Sequence, residues 1–162
     1  MSFQFSASRI LHDEHMASIA LMSEVERLIV RRAAPPSPGD GETAAVARRL
    51  ASALRGEITA HFEFEERVLF PYLMQCGEGD LAELLTEEHL ALYSLFDEIE
   101  TTIGDLREDS AAVAWRRLRS LCGELSERLQ SHIEKEERAL LPALEGALTQ
   151  EVDAELSARH DL

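Results

Sequence analysis

Apolar residues recur at three- and four-residue spacing along almost the whole chain, which is the signature of amphipathic helices. A first stripe runs Leu11, His15, Ile19, Met22, Val25, Ile29 and predicts a helix from about Ser8 to Arg32. It stops at the Pro/Gly run Ala-Ala-Pro-Pro-Ser-Pro-Gly-Asp-Gly, which cannot continue a helix. A second stripe, Val46, Leu50, Leu54, Ile58, His61, Glu65, Val68, Tyr72, predicts a helix from about Glu42 to Gln75, with Gly77 and Gly79 ending it. Leu81, Leu85, His89, Leu92, Phe96, Ile99 and Ile103 give a third, about Leu81 to Leu106. Trp115, Leu118, Cys122, Leu125, Leu129, His132, Glu136 and Leu140 give a fourth, about Ser110 to Leu148. The tail Thr149–Leu162 is expected to add a short helix. Short connections between long amphipathic helices favour antiparallel neighbours, so the predicted fold is all-α, an up-down-up-down antiparallel four-helix bundle over residues 1–148 with a tail at 149–162.

The chain repeats itself. His61-Phe-Glu-Phe-Glu-Glu-Arg-Val-Leu-Phe-Pro71 matches His132-Ile-Glu-Lys-Glu-Glu-Arg-Ala-Leu-Leu-Pro142, and Asp13-Glu-His-Met-Ala matches Glu87-Glu-His-Leu-Ala. Each half, about 8–75 and 79–148, reads as one helical hairpin with a histidine on each arm.

Composition narrows the function classes. Ala, Leu, Glu and Arg dominate, a helix-forming mixture. With 31 acidic against 16 basic residues the net charge is −15, so a phosphate backbone or an anionic membrane surface would be repelled. The two cysteines, Cys76 and Cys122, form no CxxC and read as reduced thiols. No apolar run approaches the ~20 residues of a membrane span, and the N-terminus has no secretory pattern. A cytoplasmic protein is expected.

The chemistry lies on the stripes. His61 and Glu65 are four residues apart, as are His132 and Glu136, so each pair shares one helix face that must point into the bundle. Burying such groups unpaired costs several kcal/mol each, about 2–7 for a neutral polar group. A metal ion satisfies carboxylate and neutral imidazole together. From His15 to the end of its helix is about 25 Å and from the start of the next helix to His61 about 27 Å, which places both histidines at one height in an antiparallel hairpin. His89 and His132 fall within about one or two turns of each other. Four histidines and two carboxylates exceed the needs of one tetrahedral zinc and suit a dinuclear centre. If both glutamates bridge, each metal gains two imidazoles and two carboxylate oxygens. A bridging oxo or hydroxo would be a fifth donor, with a position left open for a small molecule. Nitrogen and oxygen donors without thiolate suit iron or manganese, and zinc is a possible substitute.

With these residues in hand, the chain resembles the hemerythrin-like family of HHE cation-binding repeats over about Ile10 to Leu144. The resemblance rests on Glu14-His15, His61-x-x-x-Glu65, Glu88-His89 and His132-x-x-x-Glu136, with a proline at equal distance after each HxxxE. It implies two iron ions held by His15, His61, Glu65, His89, His132 and Glu136. Oxygen-carrying hemerythrins have a further histidine on the third helix, where this chain has Leu85 and Tyr93, and an aspartate five residues after the fourth-helix histidine, where this chain has glutamate after four. These departures argue against simple reversible oxygen carriage. The iron-centre repair branch usually adds an N-terminal domain with a cysteine motif, and a chain that begins with the bundle counts against that role.

Around the six, Glu63 and Glu134 are expected to face solvent, Glu66 and Glu137 to lie on the surface or at helix contacts, and Glu14 and Glu88 to sit at the periphery or brace the histidines. Tyr93 and His12 are candidates for an extra ligand or an outer brace. His160 is expected in solvent, Cys122 in the core, and Cys76 is a weak redox candidate. No general base, nucleophile or cofactor motif stands beside the site. A protein that binds or senses oxygen, nitric oxide, peroxide, or iron and redox state is therefore favoured. A di-iron redox enzyme (ferroxidase, peroxidase-like or nitric-oxide-related, including iron-centre repair) comes second, and a bundle merely stapled by metal third. Exposed apolar residues leave room for a homodimer.

Overall fold

The computed structural model describes residues 3–37, 40–106 and 111–160, and among them helices are the only regular secondary structure. Helix α1 spans Ser6–Val25 and runs into a π-helical turn, Glu26–Val30. Helices α2 (Gly41–Arg55) and α3 (Glu57–Phe64) follow, then a second π turn, Glu65–Leu69, and α4 (Phe70–Gln75). Helix α5 covers Gly79–Asp105 and α6 covers Ala111–Lys135. A third π turn, Glu136–Leu140, leads to α7 (Leu141–Ala147), and α8 (Gln150–Ser157) closes the chain. Ser110 and Leu162, the expected outer limits of the fourth helix and the tail, lie outside the described residues.

Neighbouring runs are antiparallel. Glu14 meets His61 and Arg27 meets Glu42 between the first two, while Glu88 meets His132 and Glu98 meets Arg117 between the last two. Between the hairpins, Arg55 pairs with Glu100 and Glu66 with His89, and Arg119 reaches the Val30 carbonyl while His15 meets Glu137.

The predicted second helix, Glu42 to Gln75, is interrupted twice. Gly56 sits at φ −108°, ψ −97° between α2 and α3, and a Cβ there would lie 3.1 Å from the Ser52 carbonyl. The second interruption is the π turn, where Phe70 N–H bonds back five residues to the Glu65 carbonyl; Leu141 N–H does the same to Glu136 in the last run. Each widened turn stands just before Pro71 or Pro142. Proline has no N–H and its ring crowds the carbonyl four residues back, so an α-helical bond is already forfeited there and a wider turn costs less. The π turn at Glu26–Val30 has no proline. There the Val30 and Arg32 carbonyls accept from Arg119 Nε (3.0 Å) and Trp115 Nε1 (3.1 Å). At the hairpin tip Gly77 takes φ +95°, with Gly77 N–H on the Met74 carbonyl and Glu78 N–H on Leu73, the paired bonds that finish a helix through a left-handed glycine.

Two apolar clusters fill the interior. One holds Met22, Ile29, Leu50, Leu54, Phe62, Ile99, Trp115 and Leu129; the other holds Leu11, Phe64, Leu69, Leu85, Leu140 and Leu144. In every run the changeover falls at the same kind of position: between Leu11 and Leu21, Phe62 and Phe64, Leu85 and Leu92, Ile133 and Leu140. A buried polar layer made of His15, His61, Glu65, His89, His132 and Glu136 lies at that level. Helix α8 packs on α1, where Asp153 accepts from the Ser6 and Ala7 N–H groups (2.9 Å each) and Glu145 accepts from Gln4 and Phe5. Phe5 gives α1 no side-chain cap, so the orphan donors of its first turn are met from the far end of the chain.

Candidate metal centre

The six residues named from the sequence converge in this layer, each 6% exposed or less. They form two groups that could each hold a metal ion: His15, His61, Glu65 and Glu136, and Glu65, His89, His132 and Glu136, the donor atoms of each group lying within 4.8 Å of one another. Both glutamates belong to both groups. All four histidines aim Nε2 inward. His132 Nε2 is 2.9 Å from Glu136 Oε1, His15 Nε2 is 3.0 Å from Glu136 Oε2, His89 Nε2 is 3.3 Å from Glu65 Oε2, and His61 Nε2 is 3.6 Å from Glu65 Oε1.

These contacts do not make a satisfied hydrogen-bond network. Both oxygens of Glu65, both of Glu136 and Nε2 of His15 are buried without an aligned partner. Orphaned buried groups of this kind are costly in a closed core, on the order of 1–3 kcal/mol each. Burial and the facing Glu136 push the Glu65 carboxyl well above its ordinary range. Burial works on Glu136 in the same direction, but the imidazoles of His132, His15 and His89 outweigh it and hold that carboxyl low. Burial pushes His61 down and leaves it neutral, the form in which imidazole is a ligand. A cation between the two carboxylates would answer the repulsion and every orphaned atom, so the residues present fit metal ions.

The other nitrogen of each histidine is tied to a carboxylate on a neighbouring run. Glu14 meets His61 Nδ1 at 2.7 Å, Glu66 meets His89 at 2.8 Å, Glu88 meets His132 at 2.9 Å and Glu137 meets His15 at 2.6 Å. The four contacts close a ring, from α1 to α3, from the π turn after α3 to α5, from α5 to α6, and from the π turn after α6 back to α1. Donating Nδ1–H outward fixes the tautomer that leaves Nε2 as the inward donor.

Glu14 and Glu88 thus brace histidines. Glu66 and Glu137, expected on the surface or at helix contacts, take the second of these places, each on a histidine of the adjacent run. They stand one residue past Glu65 and Glu136, about 100° round the helix, and that direction is the neighbouring run rather than solvent. The signal was present in the repeat, since Glu-Glu-Arg follows both histidines. Glu134 is exposed and Glu63 half-buried, and they pair with Arg138 and Arg67. His12 stays outside the layer, its Nδ1 3.0 Å from both oxygens of Glu137. Tyr93 packs edge-on against Phe62, which stacks on His89 at 3.8 Å between ring centres, so its route to that histidine runs through Phe62. Burial, with Glu66 and Glu63 nearby, pushes its phenol up to about 12. His160 was expected in solvent; instead its Nε2 is 2.8 Å from Glu14 Oε1 and its ring stands edge-on to Phe64. Cys122 is buried in the core with its thiol pushed up to about 12 by desolvation, and Cys76 is exposed. No described helix is long and apolar enough to cross a membrane.

Fold and site together define a helical bundle with a buried histidine–carboxylate metal layer. The family model for the hemerythrin HHE cation binding domain matches residues 6–144 and, in a second overlapping match, 80–161, and the chain belongs to that family. Among curated proteins it is similar to the iron-sulfur cluster repair protein YtfE of Cronobacter sakazakii, 34% identical over 96 residues, covering 56% of this chain and 43% of the relative. It is also similar to the protein of the same name from Yersinia pestis, 31% identical over 156 residues, covering 90% of this chain and 65% of the relative. The chain therefore spans less than two thirds of the length of these relatives.

Proposed function

We propose that this chain is a non-haem di-iron protein, built on an up-down-up-down four-helix core, that binds or senses a small molecule at its dinuclear centre. The observation that carries the reading is the sharing of Glu65 and Glu136 between two donor groups, with their four oxygens orphaned. One position takes His15 and His61, the other His89 and His132, and both glutamates serve each. Two imidazole nitrogens and two carboxylate oxygens per position, without thiolate, suit iron, with manganese or zinc as substitutes. Iron held there supplies one-electron redox chemistry and exchangeable positions for a small ligand such as oxygen, nitric oxide or peroxide. The protein's own part is to hold four imidazoles aimed inward through their outer carboxylates, to exclude competing donors, and to let a small molecule approach. A groove of about 290 Å³ between α1 and α2–α3, bordered by Ala17, Ser18, Ala53 and Ile58, reaches His61 and Glu14.

A second reading has its own support. The matched relatives are named iron-sulfur cluster repair proteins, which favours a di-iron redox role in iron-centre repair. Reduced thiols and an acidic surface fit a cytoplasmic setting for either role. The two are separated by exposing the ferrous protein to oxygen or nitric oxide. A rapid, reversible spectral change supports binding or sensing, multiple turnovers with reductant that His61→Ala abolishes support the enzyme, and no response to either ligand removes the sensing reading.

A further inference from the structure

Three of the four outer carboxylates of the ring, Glu14, Glu88 and Glu137, link a histidine to a second group behind them. For Glu88 that is Lys135 (2.8 Å), three residues past His132 on the same helix; for Glu137 it is His12, one turn before His15. Both supports are local to a run that already carries a ligand. The support of Glu14 is different. It is His160, from the far end of the chain, delivered by a helix that carries none of the six residues.

The delivery is well built. Asp153 fixes α8 to the start of α1, Leu156 is buried in the second apolar cluster, and two turn bonds (Arg159 N–H to Leu156 carbonyl, 3.0 Å; His160 N–H to Ser157 carbonyl, 3.2 Å) curl the chain back. The His160 ring then meets Phe64 edge-on, with ring centres 4.9 Å apart and planes at 88°. Phe64 is buried and directly precedes Glu65. Glu14 is a third exposed, so one contact alone would leave its carboxylate free to rotate into solvent. Held by His160 on Oε1 and by His61 on Oε2, it is fixed at both oxygens.

We infer that His160 is a positioning residue for the His15/His61 metal position, acting through Glu14 on the ring orientation of His61, and that helix α8 is energetically coupled to occupancy of that position. The inference rests on the reading of His61 as a metal ligand. Two consequences follow. Loss of the His160 contact weakens one metal position and spares the other, because His89 and His132 are braced by Glu66 and Glu88 without help from α8. By reciprocity, filling the His15/His61 position stabilises the docked tail. A chain that reports metal state by the docking of its last helix would be a natural form of the sensing role.

The test is an anaerobic titration with Fe²⁺ followed by calorimetry, on the wild type, His160→Phe and His160→Gln. Phenylalanine keeps a ring against Phe64 but has no donor; the glutamine amide nitrogen sits near the place of Nε2 and restores one. Two binding steps in the wild type are the condition of the di-metal reading itself, and their absence would defeat that reading rather than this inference. Given two steps, His160→Phe is expected to weaken one of them about 10–100-fold and leave the other unchanged, with His160→Gln close to wild type. Two unchanged steps in His160→Phe, or both weakened alike, would overturn the inference. Hydrogen exchange of residues 150–160 in the wild type gives an independent readout: slower exchange with Fe²⁺ is expected, and equal exchange with and without it would overturn the coupling.

Discussion

Glu137 Oε1 lies 2.6 Å from His15 Nδ1, the shortest of the four contacts that tie the histidine ring to outer carboxylates. Glu137 and Glu136 are neighbours on one π turn and serve opposite sides of one imidazole, Glu136 towards Nε2 and Glu137 at Nδ1. Removing Glu137 would let the His15 ring rotate and change tautomer. Glu137→Gln is expected to lower metal affinity at the His15/His61 position about 10–100-fold, read by metal titration, with the fold kept. Unchanged affinity would mean that packing alone orients the ring.

The metal-free protein should lose stability as pH rises. Glu65 is raised by burial and by Glu136, and His15 and His132 are raised on balance because Glu136, with Glu137 or Glu88, outweighs their burial. Groups whose folded values are raised contribute fully below their unfolded values, about 4.3 for glutamate and 6.5 for histidine, and the contribution is lost as pH climbs through the folded values. His61, which burial lowers, works the other way below its unfolded value, so denaturant midpoints of apo protein should fall between about pH 6.5 and 8, and Glu65→Gln should flatten the slope. Filling the site should reverse the trend, because deprotonated donors bind metal best. An apo midpoint that rises across this range would contradict the electrostatic account.

At the acid end the sign reverses. Burial pushes Asp153 up, but the Ala7 and Ser6 N–H groups more than offset it and hold the carboxyl below its ordinary range. Its contribution is present above the unfolded value of about 3.9 and is lost as pH falls through the lower folded value. Asp153→Ala leaves two N–H groups of α1 unsatisfied and is expected to cost about 1 kcal/mol, like the loss of a helix N-cap. Thermal unfolding should register it as a drop of about 2–4 °C at neutral pH. No change would show that water replaces the carboxylate at no cost.

Phe62 is 1% exposed, stacks on His89 and stands edge-on to His132. Phe62→Ala should cost about 3–5 kcal/mol in the apo protein, and Phe62→Leu much less. If the stack also orients His89, Phe62→Leu will weaken the His89/His132 position while sparing the other. Equal loss at both would mean that Phe62 acts on the core alone.

Much of this was legible in the sequence because two periodicities coincide in it. The 3.6-residue stripe located the helical runs, and the repeat of HxxxE with Glu-His placed six polar residues on the inward faces. What escaped reading depends on geometry that spacing does not encode. The π turns at Glu65 and Glu136 arise where Pro71 and Pro142 remove a donor, and the apolar stripe alone does not choose between surface and helix contact for Glu66 and Glu137. The break at Gly56 turns on a close approach to the Ser52 carbonyl, since a lone glycine in a helical pattern is as often tolerated as disruptive. His160 was invisible for a different reason. Its partner is 146 residues away, and nothing periodic links a tail histidine to Glu14.

The central claim is the dinuclear centre, and its most direct measurement is the iron content and absorption spectrum of protein reconstituted anaerobically with Fe²⁺, beside the same measurement on Glu65→Ala. The account predicts about two irons per chain in the wild type and loss at both positions in the variant, because Glu65 serves both. One iron or none in the wild type, or one iron retained at full affinity without Glu65, would contradict it.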